Sequence, residues 1–393
     1  MTSGLLTGVR VLDLSRILAG PWATQFLADL GADVVKVEKP GEGDDTRRWG
    51  PPFLKDGQGR DTGESAYFLA TNRGKRSIAI DFTVPEGLRL VRELAARADV
   101  VVENYRVGAL ARYGLGYDDL QSLKPDLIYC SITGFGQTGP DADKAGYDAM
   151  IQARGGLMSL TGVADGEPGA GPVKVGVAVC DLMTGMYAAS AICAALYRRQ
   201  VSGEGEYIDL ALLDTQVAWL ANQGMNYLVG GKVPEREGSA HPNIVPYQAM
   251  PASDGEFMLA VGNDSQFRQF CQVAGEPALA DDIRFARNAA RVQHRQQLIP
   301  QLQALTRRQP CNWWLTQLAA AGVPAGPIND LAQVLADPQV LARDMVVTLP
   351  HASAGQLPHL GNPLKLARHP VHYRNAAPLL DQDREQVLAD WLR

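Results

Sequence analysis

Short apolar runs alternate with helically spaced apolar positions through the first third of the chain. Residues 9–14 (VRVLDL), 32–38 (ADVVKVE), 77–82 (SIAIDF), 100–103 (VVVE) and 127–133 (LIYCSIT) are brief and rich in Val, Ile and Leu, which predicts strands. Residues 19–30 (AGPWATQFLADL) and 85–98 carry apolar positions at helical spacing, the second opening on Pro, which is favoured at that place. The alternation predicts an α/β domain with an open, mostly parallel, Rossmann-like sheet and helices on both faces. Such sheets bind ligands at the carboxyl ends of their strands, so the loops there are expected to carry the chemistry.

The pattern changes later. Residues 248–262 (QAMPASDGEFMLAVG) read as strand, Asp-Gly turn, strand, and helical spacing follows over 265–275, 291–308 and 312–321. We therefore expect a large α/β domain over 1–225, a smaller α+β domain over 226–330, and a Pro-rich segment over 331–393 that returns to the first. One further stretch, residues 175–196 (VGVAVCDLMTGMYAASAICAAL), is apolar or small almost throughout and predicts a buried core helix rather than a membrane span. Its exception is Asp181.

The composition narrows the function classes. The 393 residues suit more than one core, and 46% hydrophobic with 20% charged is ordinary for a soluble protein. The net charge of −6 and the lack of a basic tract argue against nucleic acid, and no membrane association is expected. Five dispersed cysteines without a CxxC, and an N-terminus without a signal-peptide pattern, point to reduced thiols in the cytoplasm. The six histidines show no metal-ligand spacing; His241, in GSAHPNIVPY, is the one that is a candidate for a site role. Gly134, Gly136 and Gly139 match GxGxxG after a strand, but no amphipathic helix follows, so a tight turn is the better reading. Neither a P-loop nor a nucleophile elbow is present.

By itself Asp181 admits two roles. It can cap a helix, or it can act as a carboxylate nucleophile on an acyl group, with free helix N–H groups stabilising the intermediate and small neighbours such as Gly185 and Ala188 admitting a ligand.

The chain also resembles the class III CoA-transferases, the group of formyl-CoA and carnitine CoA-transferases. The resemblance runs over nearly the whole length, through GVRVLDLSRILAGPWATQFLADLGADVVKVEKPGEGDDTR, NRGKRSIAIDF, ADVVVENYRVGALARYGLGYDDL, YCSITGFGQTGP, AGYDAM, VAVCDLMTG, HPNIVPYQ and AGVPAGPINDLAQVLADPQV. It implies an interlocked homodimer and Asp181 as the nucleophile. CoA would be a substrate and product rather than a tightly held cofactor, and no metal would be needed. The implied CoA contacts are Lys39, Ile80, Asp81, Phe82, Thr83, Asn104, Tyr105, Arg106, Arg112, Ala145, Gly146, Tyr147 and Asp148. Leu18 stands where formyl-CoA transferase has glutamine, and that enzyme's glycine-rich loop has no counterpart. GDDTRRWGPP, AHPNIVPYQ and AGVPAGPIN look most like the succinate–hydroxymethylglutarate (glutarate) branch, which implies an acyl-CoA donor and a C4–C6 dicarboxylate acceptor. Arg47 and Arg48, in the loop after the second strand, and His241 are then candidates to read the acceptor's carboxylate. Racemases of the same fold pair the aspartate with a histidine; Tyr147 stands there, which leaves that acid–base pair incomplete. A CoA-binding protein without catalysis is the other alternative.

Overall fold

The computed structural model describes residues 4–393; the first three positions of the N-terminal stretch lie outside the described residues. In chain order the strands are β1 (Arg10–Asp13), β2 (Asp33–Glu38), a hairpin of β3 (Phe53–Lys55) and β4 (Asp61–Ser65), β5 (Arg76–Ala79), β6 (Val100–Glu103), β7 (Ile128–Thr133) and β8 (Glu206–Ala211). β9 (Tyr247–Pro251), β10 (Glu256–Ala260) and β11 (Ala325–Pro327) follow, then a hairpin of β12 (Val346–His351) and β13 (Gly355–Leu360).

Six of these strands form one parallel sheet in the order β5-β2-β1-β6-β7-β8. This is the doubly wound arrangement: the chain builds outward from β1, then reverses at β6. Side chains alternate between the two faces. Val11, Val34, Val100, Val102, Ile128 and Cys130 pack with the helices Ala19–Asp29 and Val179–Ser202. Leu12, Val35, Ile78, Val101 and Tyr129 pack with Val91, Leu94, Val387 and Trp391 on the other. Val387 and Trp391 belong to the last helix, Arg384–Leu392, which packs on this face of the sheet.

The Val179–Ser202 helix is long and apolar enough to cross a membrane by length and composition. Here it packs along Ala19–Asp29, burying Thr184, Gly185, Ala188, Ala189, Ile192 and Leu196. Gly185 permits the close approach: a Cβ there would sit 2.6 Å from the Ala19 carbonyl oxygen.

By contacts the chain divides into two compact units. One runs up to Met158 and takes in Lys174–Lys232 and Pro338–Arg393; the other holds Ser159–Val173 and Val233–Asp337. The second unit contains an antiparallel sheet in the order β11-β10-β9 and a core around Phe257, Phe267, Phe270, Leu298 and Trp314. The 248–262 hairpin is present as β9 and β10. The helix expected over 291–308 is two, Asn288–Gln293 and Arg295–Thr306, broken at His294. β3, β4, β8, β12 and β13 were not expected from the pattern. β8 reads EYIDLA and is an edge strand, so its Glu and Asp interrupt the apolar run by which the inner strands are recognised.

Candidate active site

The carboxyl ends of β1 and β6 meet at the reversal point of the sheet, and two neighbouring hollows open there. An outer groove of about 470 Å³ is lined by residues including Lys36, Lys39, Ile80, Asp81, Phe82 and Thr83. A smaller cavity of about 150 Å³ is lined by residues including Ile17, Leu18, Asn104, Arg106, Lys144 and Asp181. Arg16 and Tyr105 line both, with the Arg16 guanidinium 4.9 Å from the centre of the Tyr105 ring. Gly134 and Gly146 touch at the cavity wall; a Cβ on Gly134 would come within 2.6 Å of the Gly146 Cα.

Asp181 lies within the first turn of the Val179–Ser202 helix and is not its cap, which is Ala178. Its side chain is half-buried and makes no hydrogen bond or ion pair among the described residues. Burial, reinforced by the nearby charge of Asp148, pushes its pKa up to about 7. The N–H groups at this helix end are not free, contrary to expectation. Asp148 Oδ1 accepts from the N–H of Cys180 at 2.8 Å and of Asp181 at 3.4 Å, while Val179 donates to the Val177 carbonyl. Asp148 thus caps the helix from a separate one, Asp148–Arg154, and its other oxygen accepts from Gln152 at 2.6 Å. It acts on the Asp181 helix directly, a role the CoA-contact assignment did not contain.

A consequence is measurable. Asp148→Asn keeps an acceptor for the helix N–H groups but removes the negative charge beside Asp181. The acid limb of the kcat/KM profile, expected near pH 7 because the ionised carboxylate is the reactive form, should then move to lower pH. An acid limb that stays in place would show that Asp148 does not tune Asp181.

Most of the other expected residues line one or both hollows. Lys39, Ile80, Asp81, Phe82, Thr83 and Tyr105 line the outer groove, and Asn104, Tyr105, Arg106, Ala145, Gly146 and Tyr147 line the inner cavity. Lys39 pairs with Glu42 at 2.5 Å, and Asp81 accepts from the Thr83 N–H and hydroxyl. Arg112 is exposed on a short 3-10 turn, Ala111–Tyr113, and lines neither hollow. Its neighbour Tyr113 meets Phe82 edge-on at 5.6 Å.

Arg47 is a buried cation already paired within the fold. It is buried, bonds Glu38 through Nε at 2.7 Å and Nη2 at 2.8 Å, pairs with Glu64 at 2.7 Å, and donates to the Pro378 carbonyl. Arg48, one step along the same 3-10 turn, points the other way, is exposed, and approaches Glu42 at 3.4 Å. His241 belongs to the second unit, where it stacks on Tyr247 and its Nδ1 accepts from the Asn243 N–H.

Two residues at the site were not expected. Arg16 ends the DLSR run after β1 and pairs with Asp45 at 3.0 Å; a cation directly after the first strand was the available signal. Tyr67 sits on the turn Ala66–Leu69 against Trp49, and burial, with the charges of Asp181 and Asp148, pushes its hydroxyl up to about 12. No group of three or more His, Cys, Asp or Glu that could hold a metal ion occurs among the described residues.

The structure thus combines a doubly wound sheet, a groove beside a cavity at its reversal point, and an unpaired carboxylate in that cavity. The chain belongs to CoA-transferase family III, whose pattern matches residues 6–384. It is an enzyme of the CoA-transferase type. It is 51% identical to the succinate–glutarate CoA-transferase of Agrobacterium fabrum, over 98% of this chain and 95% of that protein. It is 45% identical to the succinyl-CoA:glutarate CoA-transferase of Mus musculus, over 99% of this chain and 86% of that one. The crystal structure of a CAIB/BAIF family protein from Brucella suis superposes with a TM-score of 0.86 at 49% identity, covering both chains fully.

Proposed function

We propose that this enzyme transfers CoA from succinyl-CoA, or a similar dicarboxylyl-CoA, to glutarate or a related C4–C6 dicarboxylate, with Asp181 carrying CoA covalently. The observation that carries the reading is the Asp181 carboxylate: unpaired, half-buried, and open to a cavity lined by Arg16, Arg106 and Lys144. The names of the relatives supply the acids.

The chemistry follows from a carboxylate nucleophile. Asp181 attacks the thioester carbonyl and expels CoA thiolate, leaving a mixed anhydride. The thiolate attacks the Asp181 carbonyl, releases succinate, and leaves an aspartyl-CoA thioester. The acceptor carboxylate attacks that thioester and expels the thiolate again. The thiolate then attacks the acceptor's carbonyl, which yields the new acyl-CoA and frees Asp181. No net proton moves, and each step exchanges acyl bonds of similar energy. The site must exclude water, because both intermediates hydrolyse.

In this reading the nucleotide end of CoA takes the outer groove, with Lys39 and Arg16 as phosphate partners and Phe82 as an aromatic wall. The pantetheine end fits the inner cavity beside Ala145, Gly146 and Tyr147. CoA is turned over rather than retained. An interlocked homodimer accompanies this reading; the exposed Met225, Tyr227, Leu228 and Val229 on Ala221–Gly230 offer apolar surface for a second copy. Free cysteines throughout suit a cytoplasmic setting.

The test is a comparison of acceptors with succinyl-CoA as donor. Glutarate is expected to exceed valerate in kcat/KM by about a hundred-fold or more, because a site that pairs a second carboxylate leaves its own polar groups unpaired with the analogue. Equal use of valerate would remove the dicarboxylate assignment.

A further inference from the structure

The segment Ser15–Ile17, which leads from β1 into the Ala19–Asp29 helix, has its backbone held by side chains from elsewhere. The Ser15 N–H donates to Asp13 Oδ1 at 3.0 Å, and the Ser15 carbonyl accepts from Lys36 Nζ at 2.8 Å. The Arg16 N–H donates to Asn104 Oδ1 at 2.7 Å, and the Arg16 carbonyl accepts from Asn104 Nδ2 at 2.6 Å. The Ile17 N–H donates to both Asp44 oxygens, at 3.3 and 3.2 Å. Asp44 is itself fixed by Lys36 at 2.9 Å and by the Thr46 N–H at 2.9 Å.

What these bonds hold is a disfavoured backbone. Ile17 has φ of +70°, a left-handed conformation that a β-branched side chain adopts only under constraint. Arg16, Ile17, Leu18 and Ala19 form the wall of the cavity that contains Asp181. The strain therefore lies at the nucleophile's cavity, and the residues opposing it come from β2, the loop after β2, and the loop after β6.

We propose that Asn104 is a positioning residue: its two-way clamp on Arg16 holds Ile17 in the left-handed conformation and so keeps the Arg16–Leu18 wall in place over Asp181. Both polar atoms of the Asn104 amide bond the Arg16 backbone, so its side chain is positioned to act through Arg16. The inference rests on Asp181 being the reacting group. Without the clamp, Ile17 relaxes toward negative φ and the wall moves. With glycine at position 17 the left-handed conformation carries little cost, so the clamp is no longer needed to the same degree.

The experiment is a double-mutant cycle of Asn104→Ala and Ile17→Gly, read in kcat and in KM for acyl-CoA. Asn104 is half-buried on a loop, so its replacement leaves no buried charge unpaired; Asn104→Asp, which keeps the acceptor and loses the donor, serves as a second variant. With Ile17 intact, loss of Asn104 is expected to lower kcat about ten-fold with little change in KM, and Asn104→Asp to fall between. In the Ile17→Gly background the same loss should cost about two-fold or less. A raised KM with unchanged kcat would make Asn104 a CoA contact and overturn the proposal, as would an equal loss in both backgrounds. Quenched covalent labelling of Asp181 in the unmutated enzyme separates the two readings. If Asp181 is not labelled there, the nucleophile assignment fails whatever the cycle gives. If it is labelled and the cycle is additive, only the positioning role fails.

Discussion

Asp181→Asn is expected to abolish CoA transfer, lowering kcat by several orders of magnitude, while leaving a folded protein that binds acyl-CoA. The amide is isosteric and cannot form the anhydride. The fold loses nothing in the exchange, because the carboxylate has no hydrogen-bond or ion-pair partner to forfeit among the described residues. Stability should rise. The folded state holds this carboxyl at about 7, above its usual value, so it favours the neutral form. The fold is therefore penalised once pH rises above the unfolded value near 4, and the penalty is complete above pH 7. Allowing for the side chain's partial exposure, the gain at pH 8 should be about 1–2 kcal/mol, vanishing near pH 4. Thermal denaturation of both proteins across that range checks the sign, and steady-state assays check the loss. Retained activity would remove Asp181 from the chemistry.

The second large effect is on stability. Beneath the site lies a fully buried ionic cluster. Asp13 accepts from Lys75 at 3.0 Å, from the Thr24 hydroxyl at 2.6 Å and from the Ser15 hydroxyl at 2.5 Å. Lys75 also donates to Asn72 at 2.8 Å and to the Pro21 carbonyl at 3.0 Å. Asp13 and Lys75 are 0% and 1% exposed, so neither charge has water to fall back on. Asp13→Ala would strand the lysine charge and is expected to destabilise the fold by about 3–5 kcal/mol, measured by denaturant unfolding. Replacing both partners with apolar residues should cost much less, since the desolvation penalty disappears with the pair. A loss below about 1 kcal/mol for Asp13→Ala would mean that Lys75 finds another partner or sheds its proton.

How much of this was legible in the sequence depends on how far apart the partners lie. The parallel sheet was readable because its central strands are buried on both faces and appear as unbroken apolar runs. The edge strand β8 and the two hairpins were not, because half-exposed strands mix polar residues into a short pattern. Asp181 stood out because a lone carboxylate interrupts an apolar helix. Its neighbour Asp148 did not, since the cap it provides joins positions 32 and 33 residues apart through folding alone. The tandem Arg47 and Arg48 look equivalent in sequence. A single 3-10 turn sends one inward to Glu38 and Glu64 and the other to solvent, and nothing local encodes which. Asn104 likewise matched a family contact position, but its partner Arg16 is 88 residues away. Resemblance transfers the position of a residue; only the fold shows what its side chain touches.

Passage of CoA through a covalent bond to Asp181 leaves a species that can be trapped and weighed. The enzyme is mixed with succinyl-CoA without acceptor, quenched within a turnover, digested, and the peptide carrying Asp181 is weighed. This peptide is expected to gain the mass of CoA less water, to lose that gain when glutarate is added before the quench, and to give a hydroxamate on Asp181 with hydroxylamine. An adduct on a different residue, or an unmodified peptide from enzyme that is turning over, would contradict passage through Asp181.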